Sequence, residues 1–336
     1  MLRNLYQKLH HWASKPSEIK AVSGGSPNPG VWIADGKIIP NYACQAEIVS
    51  KCNLSCQDCN HLSPIAEKRF TSPDEIHRDF SILAKVYQPR FVYLTGGEPL
   101  LHPDICSVIE AVRSSGISKR IRILTNGLLL PKMNDQFWES IDDLEISIYP
   151  NSHINTVMIK AYEDRAKDFG VMLEVFRFEK FRRSFARQGT NDMALVNRIY
   201  RSCKSAHNWG CHYIDEGYFY KCPQAAFIPR MLQLPETGRR RDGIQLRDDP
   251  TLLDELYAYL RSPEPLSGCM NCLANAGIER PHIQVRPNKW LSHQEGTTES
   301  LLDYKEMARN EAEMHIQRTD HIKELMTYTP GGAERS

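Results

Sequence analysis

The sequence is short of net charge and of long apolar runs. Its 42 Lys and Arg against 41 Asp and Glu leave a formal charge of +1 over 336 residues, which argues against nucleic acid or an anionic membrane as the main partner. No stretch approaches the apolar length of a bilayer span. The opening MLRNLYQKLHHWASKP lacks the apolar core and small-residue cleavage site of a signal peptide, so a cytoplasmic protein is expected. Internal repeats are absent. A chain of this length can build one large α/β domain with a smaller module beside it.

Cysteine is not scarce. There are ten, and in a reducing compartment clustered cysteines bind metal more often than they pair. Eight fall in two sets: Cys52, Cys56 and Cys59, then Cys203, Cys211, Cys222, Cys269 and Cys272. Cys106 shares helical spacing with Ile105, Val108, Ile109 and Val112 and reads as a small core residue. Cys44 is placed before the first core strand, with no chemical role.

Residues 1–40 read as a helix with Leu2, Leu5, Leu9 and Trp12 on one face, a Gly/Ser/Pro-rich linker, and a hairpin turning on Asp35-Gly36. Residues 41–195 read as the core domain, in which strands and helices alternate from about 44 to 178. The strand signals are Ala46–Val49, Phe91–Leu94, Ile121–Leu124, Leu144–Ile148 and Val171–Phe176. Ser72-Pro73-Asp74-Glu75 is a capping box that starts a helix, and Pro103 opens another that Gly116 closes. A polar crossing segment follows from Lys180 to Asp192. The alternation implies an α/β fold with a parallel sheet covered on one face or closed into a barrel, its active site at the C-terminal strand ends. Residues 196–280 hold a hairpin between Cys211 and Cys222, a charged loop Gly238–Asp242 expected at the surface, and a helix over Leu252–Leu260. Residues 281–336 are expected to form a helical extension, with a polar helix over 298–326 and a frayed tail.

The most specific stretch is KCNLSCQDCN, Lys51 to Asn60, directly after the first core strand. Cys52, Cys56 and Cys59 stand at C-x3-C-x2-C. Three thiolates on one loop can hold three irons of a cubane and leave the fourth open to a substrate or cosubstrate. Four-cysteine electron-transfer clusters have no such vacancy. The second core strand ends in Thr95-Gly96-Gly97-Glu98-Pro99, where the glycines let backbone approach a ligand and Glu98 could join carbonyls in holding an ammonium group. Zinc would want four closed ligands, and no fourth follows locally, although His61 is near.

The two motifs together resemble the radical S-adenosylmethionine (SAM) superfamily, and the likeness runs over roughly residues 44–275. It implies a partial (β/α)6 barrel, a [4Fe-4S] cluster on Cys52, Cys56 and Cys59, and SAM at the open iron. It also implies contacts to the methionine amine of SAM from Gly96, Gly97, Glu98 and Pro99. Thr125, Asn126 and Ser147 match positions where relatives touch the ribose or carboxylate of SAM. The residue before the third cysteine is usually aromatic in this family and packs near the adenine. Here it is Asp58, which leaves the adenine contact open.

Cys203, Cys222, Cys269 and Cys272, with Gly217 between the first two, form C-x13-G-x4-C and a distant C-x2-C. This resembles the twitch domain, the short form of the SPASM domain, and implies a small hairpin-and-helix module with an auxiliary [4Fe-4S] cluster. A zinc ribbon on the same thiols satisfies the spacing equally, since both metals accept tetrahedral thiolate. Cys211 could replace Cys203 as a ligand, return a hydrogen atom to a substrate radical as in radical epimerases, or be a spare buried thiol. Arg177, ending the fifth core strand, could hold a substrate carboxylate or phosphate, or pair with Glu179.

The resemblance implies an oxidoreductase. One electron cleaves SAM to a 5′-deoxyadenosyl radical, the radical takes hydrogen from a small substrate, and the auxiliary cluster accepts an electron. The cysteine spacing is similar to that of 2-deoxy-scyllo-inosamine dehydrogenase-type enzymes of natural-product biosynthesis. That points to a sugar, aminocyclitol or glycosyl alcohol as substrate, with flavodoxin or ferredoxin as outside reductant. Rival reactions are sugar epimerisation or dehydration and peptide maturation. The rival class is a non-catalytic iron–sulfur or zinc scaffold or electron carrier, which would have no need of an ammonium-binding loop.

Overall fold

Short strands whose residues alternate between two faces, separated by amphipathic helices, give one side for burial and one for chemistry. The computed structural model describes residues 31–150 and 152–314. The helix expected over 2–12, the linker before residue 31 and the tail beyond 314 lie outside the described residues. The strands are β1 Val31–Ala34, β2 Lys37–Pro40, β3 Ala43–Val49, β4 Phe91–Gly96, β5 Ile121–Thr125 and β6 Asp143–Ile148. They continue as β7 Met172–Arg177, β8 Lys180–Arg182, β9 His212–Asp215, β10 Tyr218–Tyr220, β11 Gly243–Gln245 and β12 Glu279–Pro281.

The main sheet runs β11-β10-β9-β3-β4-β5-β6-β7. From β9 through β7 neighbouring strands are parallel, and β10 and β11 are antiparallel. This is a mixed α/β fold with a large, mostly parallel sheet, as expected. The five expected core strands all form, but β3 begins at Ala43. Cys44 therefore lies inside the strand, fully buried, which corrects its placement before it. The Cys211–Cys222 hairpin forms as β9 and β10 around Glu216 and Gly217, both left-handed (φ 49° and 78°). That is the turn geometry a two-residue hairpin favours. β9 then pairs in parallel with β3, so the hairpin extends the main sheet.

The core lies on one face of that sheet. Cys44, Ala46 and Ile48 of β3, with Val92, Leu94, Ile121, Ile123, Leu144 and Ile146, pack against Ile76, Phe80 and Leu83 of the helix Pro73–Leu83 and Val108, Ile109 and Val112 of the helix Ile105–Ser114. Each large apolar side chain so buried contributes roughly 1.5–3 kcal/mol. Ser72 caps the first helix as expected, accepting from Glu75 N while the Glu75 carboxylate accepts from Ser72 N. The second helix starts at Ile105, two positions past the expected Pro103, and ends at Ser114, with Gly116 left-handed (φ 73°) just beyond it. On the opposite face Arg122 donates to Tyr93 (3.2 Å) and Glu174 (2.6 Å), and Tyr93 donates to Glu145 (2.9 Å).

Three further expectations are corrected. In the charged run Gly238–Asp242, Asp242 is buried and accepts from Ser267 N (3.0 Å) and Gly268 N (2.6 Å), anchoring the turn that carries Cys269. The crossing segment contains β8, which pairs with β12. The helix expected over 298–326 is broken: Thr298–Leu301 and 304–314 are helical, with Leu302 and Asp303 between. No helix among the described residues is long and apolar enough to cross a membrane.

Candidate functional site

A register shift between Glu47 and Val49 ends the β3–β4 ladder, and irregularities of this kind re-aim a strand end. The chain leaves the sheet there into Lys51–Asn60. Cys52, Cys56 and Cys59 are brought together: Cys52 and Cys56 each feel the charge of Cys59. Burial pushes the Cys52 thiol up to about 12 and raises Cys56 and Cys59 as well. Three desolvated thiols this close stay protonated unless a cation shares the site. Iron brings that charge, so the donor set fits a cluster. His61 bonds to the backbone of Gly96, and burial lowers its pKa to about 4.

Gly96 and Gly97 lie against the backbone of the cysteine loop's root. A Cβ on Gly96 would lie 2.1 Å from the Val49 carbonyl oxygen, and one on Gly97 would lie 2.2 Å from the Lys51 carbonyl. Gly97 N donates to Val49 O (2.7 Å) and Glu98 N to Lys51 O (2.9 Å). The glycines thus let this loop lie flush on the root of the cysteine loop. Glu98 is fully buried. Its Oε1 accepts from Leu100 N (3.0 Å) and Thr125 Oγ1 (2.7 Å), and its Oε2 from Asn126 N (2.9 Å). Within the protein the carboxylate accepts these three bonds, and burial lifts its pKa to about 7. Pro99, buried, opens a tight turn.

Asn126 reaches the cysteine loop itself, with Nδ2 donating to Asn53 Oδ1 (2.6 Å) and lying 3.7 Å from Cys52 Sγ. Thr125, buried below it, links Glu98 to Gly127 N (3.0 Å). Ser147 is buried at the end of β6 and hydrogen-bonds to Tyr149, whose hydroxyl feels the charges of Cys56, Cys59 and Cys52.

Residues without any local signal close over the loop. His282 Nε2 is 3.1 Å from Cys56 Sγ, and its ring stacks on Tyr149 (centroids 4.9 Å apart, planes at 14°). Trp290 Nε1 donates to Cys56 O (2.9 Å), and Gln294 Nε2 to Gln57 O (2.7 Å). Asp58 meets Arg183, both buried. His282 and Cys56 are 226 positions apart, beyond the reach of any spacing argument.

The second thiol set surrounds a space. Cys203, Cys222, Cys269 and Cys272 line one cavity of about 130 Å³, and Cys211 is not among its lining. Asn60, the residue after Cys59, also lines it. Burial raises all four thiols, with Cys272 at about 12, and the charges of neighbouring members raise Cys222, Cys269 and Cys272 further. Lys221 beside them is fully buried, its Nζ donating to the Tyr200 hydroxyl (2.5 Å) and Ser262 O (3.0 Å). It has no carboxylate partner among the described residues. Cys211 bonds instead to Gln45 of β3, and burial pushes its thiol to about 12. Among the described residues no three His, Cys, Asp or Glu side chains converge closely enough for a lone metal ion. Arg177 and Glu179 line a separate cavity of about 190 Å³ with Tyr149, Ser152 and His153. Among the described residues Arg177 makes no ion pair, neither with Glu179, one of its possible partners, nor with another acid.

The family described as the Radical SAM superfamily matches residues 47–177. This segment is similar to a radical SAM domain. It contains the first thiol set, the Gly96–Pro99 loop, Thr125, Asn126 and Ser147, and ends at Arg177. The second thiol set lies beyond it. Radical SAM domains imply a [4Fe-4S] cluster and SAM. The chain is 29% identical over 99 residues to the GTP 3′,8-cyclase of Microcystis aeruginosa (28% of this chain, 30% of the relative). It is 32% identical over 114 residues to the probable GTP 3′,8-cyclase of Methanocaldococcus jannaschii (30% of this chain, 37% of the relative). The chain thus spans about a third of the length of these relatives. A solved structure of BtrN in complex with AdoMet and 2-DOIA aligns with 66% of this chain and 82% of that one, at 14% identity and a TM-score of 0.38.

Proposed function

We propose that the chain is a radical SAM oxidoreductase acting on an alcohol of a small sugar- or aminocyclitol-like substrate. In this reading Cys52, Cys56 and Cys59 hold the SAM-binding [4Fe-4S] cluster, and Cys203, Cys222, Cys269 and Cys272 hold an auxiliary one. When bound, the two clusters supply the electron that opens SAM and take up the electron a substrate radical sheds. Asn126 and Tyr149 border the first thiol set, and Glu98 holds Asn126 in position. A reductant such as flavodoxin or ferredoxin would feed the first cluster.

The observation that carries the reading is the buried Lys221 beside four thiols around one cavity. An ammonium group buried among neutral partners is costly, and metal-bound thiolates would offset its charge. Four thiols around a cavity support a polyatomic cluster over a zinc ribbon. Cys211 favours oxidation over epimerisation: it lies against Gln45, on the order of 13 Å back along β3 from Val49, where the cysteine loop begins. A second reading is chemistry on a phosphorylated substrate, such as the nucleotide in the names of the cyclase relatives. Arg177 on the strand rim, without an ion pair among the described residues, favours it.

The test is anaerobic reconstitution followed by iron and 5′-deoxyadenosine assays. About eight irons per chain are expected for two cubanes, with 5′-deoxyadenosine released in dithionite and SAM. A fully loaded protein that makes none with amino-sugar alcohols or nucleotides would sink the enzymatic reading. Turnover with nucleotides alone would replace the substrate assignment.

A further inference from the structure

We infer that His282 is a positioning residue that donates a hydrogen bond to the Cys56 thiolate and so raises the reduction potential of the SAM-binding cluster. This rests on the reading that Cys52, Cys56 and Cys59 hold that cluster. His282 is buried, with Nε2 at 3.1 Å from Cys56 Sγ. A cysteine sulfur bound to iron carries no proton, so the ring N–H must be the donor. Hydrogen bonds to cluster sulfurs withdraw negative charge and favour the reduced form, and partners of the ligands tune metal sites generally.

The ring is held in place from several sides. Tyr149 stacks on one face, and Phe181 of β8 meets it edge-on (4.8 Å, 68°). Pairing of β8 with β12 sets Arg280 opposite Phe181 and so fixes the chain entering His282. Beyond it, Gln57 N donates to Ile283 O (3.0 Å), Val285 N to Ser55 O (2.9 Å) and Trp290 Nε1 to Cys56 O (2.9 Å). Residues 279–294 therefore form a strap hydrogen-bonded along the cysteine loop, with one imidazole aimed at one sulfur. Tyr149, hydrogen-bonded to Ser147, joins the strap to the rim of the radical SAM domain.

The test compares the full chain with His282→Phe, which keeps a stacking ring without N–H, and His282→Gln, which keeps a donor. Each is reconstituted, assayed for iron, and titrated by EPR, following the cluster signal that SAM perturbs. A lower midpoint potential in His282→Phe at full iron, with His282→Gln nearer the unaltered protein, is expected. Iron lost from the Phe variant and kept in the Gln variant also supports donation. An unchanged potential in a fully loaded His282→Phe overturns the inference, as does iron lost equally from both variants, which would mark the ring as packing. No SAM-perturbed signal in the unaltered chain would instead remove the cluster reading beneath it.

Discussion

Arg183 Nε stands 3.3 Å from Asp58 Oδ1, and both side chains are sealed from solvent. The contact is one of charge: neither Asp58 Oδ1 nor Arg183 Nε has an aligned hydrogen bond among the described residues. Arg183 Nη1 donates to His293 O (2.7 Å). Burial raises the Asp58 carboxyl and lowers the guanidinium, and each charge opposes the shift of the other. The pair ties the cysteine loop to the chain just after β8. An ion pair thus occupies the position where an aromatic residue is usual.

Removing one partner leaves the other charge buried. Arg183→Met should destabilise the chain by about 3–5 kcal/mol, and Asp58→Leu with Arg183→Met by much less than the two single changes summed. Urea unfolding of the four proteins measures the cycle. Additive losses would show that the two side chains do not interact.

Glu98 carries a pH signature. Burial lifts its pKa to about 7 from 4.5, so between those values the folded chain holds a proton that the unfolded chain has released. Its contribution to stability falls as pH rises from about 4.5 to about 7 and is flat above, a change on the order of 3 kcal/mol. Glu98→Gln should flatten that part of the curve of unfolding free energy against pH. An unaltered slope would mean that Glu98 ionises normally in the folded chain.

Gly97→Ala should uncouple the two loops. The added Cβ would meet backbone atoms of Lys51 at 2.2 Å, so one loop must move, at a cost of about 1–3 kcal/mol. Iron bound at the first thiol set should fall while the second set keeps its own. Full iron and unaltered SAM binding would show that the contact is dispensable.

At the second set, Cys269→Ala should lower iron by about half and spare 5′-deoxyadenosine formation more than product formation. Cys211→Ala should leave iron content where it was, because that thiol lies outside the cavity. Lys221→Met should weaken the auxiliary cluster and leave the first intact. Unchanged iron in Cys269→Ala would return the site to a zinc ribbon or to no metal.

The sequence carried the local part of the site well. Ser72 with Glu75 and the Asp35-Gly36 and Glu216-Gly217 turns rest on contacts within a few residues, and the five core strands carry their signal in local apolar runs. Propensity and spacing register such contacts directly. Three thiols on one loop are likewise a local fact, and so is their place after β3. The partners of Glu98 are not legible in its motif, which says that a carboxylate is present and nothing about its direction. Its three hydrogen-bond donors come from Leu100, Thr125 and Asn126, two of them on the next strand's end.

What the sequence by itself determined is the order of strands and helices, the two thiol sets and the likeness to radical SAM enzymes. Only the tertiary structure decided that Cys211 stands outside the four-thiol cavity, that Asn60 borders it, and that Lys221 is buried beside it. It also decided that His282, Trp290 and Gln294 close over Cys56 and Gln57. The physical reason is range. Residues 279–294 have no periodicity of their own to bury, and their hydrogen bonds form with a loop more than two hundred positions earlier. Such contacts exist only once the sheet has formed and residues 279–294 have packed back onto the cysteine loop.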